Sequence, residues 1–93
     1  MTAERLAPAG AQAAGPHALS RRELEVVWEL AGGRRAADIA AKLHISRNTV
    51  RSHVRNAMVK TGARSQAHLV AIALVAGVFE RDSLSQIYPG VAA

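Results

Sequence analysis

The sequence predicts an all-α fold, a four-helix bundle containing a helix-turn-helix, on three observations. Apolar residues recur at i, i+3, i+4 and i+7, the period of a helix with one buried face. Serines suited to helix N-caps stand at 20, 46 and 65, and glycines suited to helix stops at 32, 33, 62 and 77. The connections between these signals are short, and no stretch carries the alternation of a strand.

The first helix opens at Ser20, three residues before Glu23. That is the spacing of a capping box, in which hydroxyl and carboxylate each satisfy a backbone N–H of the other. Leu19 and Leu24 occupy the two positions of a hydrophobic staple around it. Leu24, Val27, Trp28 and Ala31 form the expected inner stripe, with Trp28 as core rather than a ligand platform, and Gly32 with Gly33 ends the helix. A second, Ala-rich helix covers about 36–43 with Ile39, Ala40 and Leu43 inside. The third covers about 47–61, from the N-cap Ser46 with Ile45 and Val50 as a second staple, to Gly62. The fourth covers about 66–76, between Ser65 and Gly77. Its apolar residues make two stripes, one of Leu69, Ile72, Ala73 and Ala76 and one of Val70 and Leu74. A helix apolar nearly all round is buried on more than one side, so Val70 and Leu74 are expected to face a second copy of the chain. Residues 1–18 are expected to be a disordered arm or linker, 19–79 the folded domain and 80–93 a flexible tail.

Charge narrows the function. The 93 residues carry a formal net charge of +5, yet between Asp38 and Glu80 there is no acidic residue. That interval holds Lys42, Arg47, Arg51, Arg55, Lys60 and Arg64. Segregation of this kind is the electrostatic footprint of a nucleic-acid surface. Several classes fall away. The lack of cysteine excludes disulfides and thiolate metal sites and fits a reducing cytoplasm. His44, His53 and His68 have no regular ligand spacing, so neither metal nor cofactor is expected. The longest apolar run, 69–79, is too short to span a bilayer, which points to a soluble chain with no membrane partner. Asp38 and Asp82 are the only aspartates and no nucleophile–base set or phosphate loop is visible, so an enzyme is not expected.

At about 100° per residue, Val50, Val54, Ala57 and Met58 share the inner side of the third helix. Asn48, Ser52, Arg55, Asn56 and Val59 share the outer side, with Arg51 at the flank and His53 near the core edge. Arg51 and Arg55 can meet guanine O6 and N7 bidentately, Ser52 permits close approach, and Asn48 completes the base-reading set. Arg47, Thr49, Asn56, Lys60 and Ser46 are expected to touch the DNA backbone.

Only His44, Ile45 and Ser46 separate the second and third helices, the turn length of a helix-turn-helix. The stretches LSRRELEVVWELAGG, DIAAKLHISRNTVRSHVRN and KTGARSQAHLVA resemble the C-terminal DNA-binding domain of LuxR-type (GerE-like) bacterial transcription regulators, over about 19–79. The resemblance implies sequence-specific binding of double-stranded DNA, base reading at Arg51, Ser52 and Arg55, and a homodimer through the fourth helix. RNA polymerase is a further candidate partner. Four positions depart from the family pattern. Arg35 replaces a Ser or Thr cap, Ala57 and Thr61 replace larger apolar residues, and Gln66 stands where a basic residue is common. The rival reading is a helical adaptor, like the fourth region of sigma factors, docking on the transcription machinery. It would need apolar anchors on a face that instead offers Asn48, Ser52 and Arg55.

Overall fold

The computed structural model describes residues 14–79; the parts of the expected arm and tail at 1–13 and 80–93 lie outside them. A 3₁₀ turn, Pro16–Ala18, precedes four helices: α1 Arg21–Ala31, α2 Ala36–Leu43, α3 Arg47–Thr61 and α4 Gln66–Ala76. There is no strand among the described residues. α1 packs on α3 and α4, α2 packs on α3, and α3 packs on α4, which makes α3 the hub of the bundle.

Serine caps open three of the helices. At α1 the capping box is complete: the Glu23 N–H donates to Ser20 Oγ at 3.1 Å, and the Ser20 N–H donates to Glu23 Oε1 at 2.8 Å. At α3 the Thr49 N–H donates to Ser46 Oγ at 3.0 Å. At α4 the His68 N–H donates to Ser65 Oγ at 3.0 Å, while His68 Nδ1 accepts the Arg64 N–H at 3.0 Å. His68 thus reaches back as a capping-box glutamate would. α2 starts without a side-chain cap, since Arg35 offers no acceptor.

The ends of α2, α3 and α4 are left-handed. α2 closes in a Schellman turn: the Ile45 N–H reaches Ala40 O, the His44 N–H reaches Ala41 O, and His44 takes φ 59°. This single non-glycine residue of positive φ among those described sets the angle of the helix-turn-helix. α3 stops at Gly62, φ 74°. Its last turn is firm, because the Thr61 hydroxyl donates to Ala57 O at 2.8 Å. At Gly77, φ 71°, the chain turns so that Val78 is buried and Phe79 meets Trp28 edge to face, with ring centroids 5.3 Å apart.

The core is aliphatic. Val26, Val27, Ile39, Val50, Val54, Ala57, Leu69 and Ala73 are buried, with Leu24, Leu43, Ile45 and Met58 packed around them. The inner faces of α2 and α3 are those the periodicity predicts. α1 is not: Ala31 is exposed and Trp28 only half-buried, and the inner face runs through Glu23, Val26, Val27 and Leu30. Residues 15–18 also contact the bundle. The Gly15 N–H donates to Lys60 O at 2.7 Å, and the Pro16–Ala18 turn rests on α3 and α4.

Two carboxylates of α1 are buried. Glu23 Oε1 takes Lys60 Nζ at 2.8 Å as well as the Ser20 N–H. Glu29 has no exposed surface, and its oxygens lie 3.2 Å from Arg34 Nε and 3.1 Å from Lys42 Nζ. Burial pushes the Glu23 carboxyl up. The Lys60 hydrogen bond, the Ser20 N–H, the Lys60 charge and the Ser20 hydroxyl together outweigh this and hold it below its usual value.

A depressed pKa in the folded state adds stability above the unfolded value of about 4.3 and loses it as pH falls through the folded value. Urea unfolding from pH 6 down to pH 2 is therefore expected to show a steeper loss for the natural chain than for Glu23→Gln; superimposable acid limbs would refute this. Two substitutions at left-handed positions are expected to move stability oppositely. Gly62→Ala meets no atom within 4 Å of its added Cβ, so its loss of about 1 kcal/mol is purely conformational. His44→Gly relieves the same penalty and is expected to gain about as much in a urea midpoint at constant slope.

Candidate nucleic-acid interface

α3 presents its polar face to solvent because Val50, Val54 and Ala57 lock the opposite side into the core. Asn48, Arg51, Ser52, Arg55, Asn56 and Arg47 are all exposed, and so is Val59. Thr49 and His53 are half-buried along one flank. The structure thus brings the four expected base-reading residues, Asn48, Arg51, Ser52 and Arg55, onto one accessible surface. Ser46 and Thr49 are joined at 2.9 Å between their hydroxyls, so both are positioned by the cap at the start of α3.

Lys60 is engaged within the fold. Its ammonium sits on Glu23 and its carbonyl on the Gly15 N–H, so it fastens α3 to α1 and the N-terminal turn rather than standing free at the helix end. Lys42, also in the acid-free interval, lies on Glu29. Arg47, Arg51, Arg55 and Arg64 have no ion pair among the described residues. Both lysines are paired with carboxylates of α1, while these four arginines are not.

A groove opens along one flank of α3. Arg51 and Arg55 line it on α3, Arg34 and Arg35 on the α1–α2 turn, and Arg64 on the α3–α4 turn; its floor includes Leu30, Val54, Met58 and Ala63. No acidic side chain lines it. Sequence reading attached no role to Arg34, Arg35 or Glu29. A signal for Glu29 existed, since it is the one acid among the apolar residues 26–31.

On α4, the placement of the second stripe also changes. Val70 packs against the core, whereas Leu74 is 55% exposed and Val75 is 89% exposed. With exposed Ala67 and Ala71 they make one apolar face. Val75 was not anticipated, although it follows Ala71 at i+4. The histidines are spread over separate tasks, His44 in a turn and His68 in a cap, and no group of three or more potential metal ligands gathers among the described residues.

Comparison with known proteins agrees with this geometry. The GerE family model, described as bacterial regulatory proteins of the luxR family, matches residues 17–73. The spore germination protein GerE of Bacillus subtilis is 39% identical over 62 residues, which are 67% of this chain and 84% of GerE. The uncharacterized transcriptional regulatory protein YxjL of the same organism is 38% identical over 61 residues. The response regulator RamR of Streptomyces coelicolor is 42% identical over 59 residues. The matched regions span 66% and 63% of this chain but only 28% of YxjL and 29% of RamR. No solved structure matches the chain. With the family's pattern matched from the first cap of α1 into α4, the chain belongs to the luxR family of bacterial regulatory proteins, transcription regulators of the DNA-binding helix-turn-helix type, and its described residues are all helical apart from turns.

Proposed function

We propose that this chain reads double-stranded DNA in sequence-specific fashion, in the bacterial cytoplasm, by laying α3 in the major groove as one half of a dimer paired through α4. The charge sorting on α3 supports this best: Arg51 and Arg55 are exposed and free of carboxylates, while the neighbouring lysines are held by α1. A guanidinium offers a planar fork that matches guanine O6 and N7, which an ammonium does not. Asn48 can pair with adenine N6 and N7, and Ser52 keeps the helix close to the base edges. Arg47, Thr49, Asn56 and Ser46 are assigned to the sugar–phosphate backbone, where contacts position the helix without reading sequence. Lys60 is removed from that set.

The exposed α4 face supports the dimer. Leu74 and Val75 form a contiguous apolar patch with Ala67 and Ala71, and a second copy related by a two-fold axis would cover it with the same residues.

Selection of bound duplexes from a random pool is expected to return a site with two half-sites about one helical turn apart, roughly 34 Å. On that site, affinity should fall at least about tenfold between 50 and 200 mM salt. Arg55→Ala is expected to cost about 1–3 kcal/mol and relax preference at one base pair, whereas Arg47→Ala weakens all sequences alike. A flat salt response would favour the adaptor reading, and a uniform loss in Arg55→Ala would make Arg55 a phosphate clamp.

Leu74→Asp and Val75→Asp are expected to stay folded by circular dichroism yet bind single half-sites without cooperativity. Cooperative binding by both variants would exclude this face as the dimer contact.

A further inference from the structure

We infer that the arginine-walled groove beside α3 is a binding track for the phosphodiester backbone of one DNA strand, with Arg35 and Arg64, supported by Arg34, as phosphate ligands. The inference rests on the DNA reading above and adds to it a strand asymmetry. Five guanidiniums from three separate elements line this groove, and no carboxylate interrupts them. Its floor is apolar, and a channel of one charge sign over low-dielectric walls focuses the field toward its mouth. Arg35 and Arg64 are exposed and have no ion pair among the described residues. Arg34 Nε lies 3.2 Å from the buried Glu29 Oε1 as an ion pair without a hydrogen bond, so the guanidinium keeps its donors for a phosphate while the carboxylate holds it at the groove.

The other flank of α3 differs. It carries Thr49, His53, Asn56 and Lys60, and the Lys60 ammonium is neutralised by Glu23. The two walls of a major groove carry equal phosphate charge, so the strand on the arginine side releases most of the counterions. The strand on the other side meets mainly neutral donors. Arg35 bears directly on this, because a guanidinium stands at the start of α2 where no side-chain cap is made.

Salt-dependent titration of a fluorescein-labelled duplex carrying the selected site tests the assignment, using the full chain and variants checked by circular dichroism. Arg35→Ala and Arg64→Ala are each expected to lower the slope of log affinity against log salt by about one. The double variant E23Q/K60M keeps the net charge and is expected to leave the slope unchanged. Unchanged slopes in both arginine variants, with the natural chain still steep, would overturn the groove assignment alone. A drop of about one in the double variant would overturn the asymmetry, since Lys60 would then be a phosphate ligand. A natural chain that fails to bind the duplex at 50 mM salt would remove the DNA reading and this inference with it.

Discussion

α1 buries a carboxylate near each end, and the placement of the helix-turn-helix depends on how those two charges are met. Near its start Glu23 holds Lys60, at the last turn of α3. Near its end Glu29 holds Lys42, in the last turn of α2, together with Arg34 in the intervening turn. Carboxylates taken out of water cost several kcal/mol each and need cations beside them; Glu23 is fully hydrogen-bonded at Oε1, whereas Glu29 Oε1 faces Arg34 at 3.2 Å with no hydrogen bond. The same ion pairs that satisfy α1 therefore fix where α2 and α3 end relative to it. Aliphatic packing of Val26, Val27, Ile39, Val50 and Leu69 fills the space between.

This arrangement divides the basic residues by chemistry. An ammonium is a compact charge that a single buried carboxylate can neutralise, and Lys42 and Lys60 are used that way. A guanidinium keeps several donors in a rigid plane even when it sits beside a carboxylate, as Arg34 sits beside Glu29. Counting basic residues between Asp38 and Glu80 overstates the charge available to a partner from that interval. The partners of Lys42 and Lys60 lie far off in sequence, in α1, and the α1–α2 turn adds arginines that the interval excludes.

What was legible in the sequence was local. Ser20 with Glu23, Ser46 with Thr49, Gly62 and Gly77 act within one or two turns of themselves, so helix ends could be read without knowing the fold. The outer face of α3 was legible because its inner face is so narrowly aliphatic. α1 was harder, since apolar residues at 24, 26, 27, 28, 30 and 31 cover a wide arc, and only packing against α3 and α4 selects Val26 and Val27 as its centre. Val70 and Leu74 look alike in sequence, yet the crossing of α4 over the core buries part of one and exposes the other. The Pro16–Ala18 turn carries no periodicity, because a backbone bond from Gly15 to α3 anchors its start.

That bond has a mechanical consequence. Gly15 is tied to Lys60 O while Lys60 Nζ is tied to Glu23, so one residue couples the chain before α1, the first cap of α1 and the final turn of α3. A load on Gly15 bears on the last turn of α3 through a 2.7 Å hydrogen bond, beside the contacts of Pro16–Ala18 with α3 and α4. The N-terminal turn and the end of α3 are thus held together by backbone as well as by side chains.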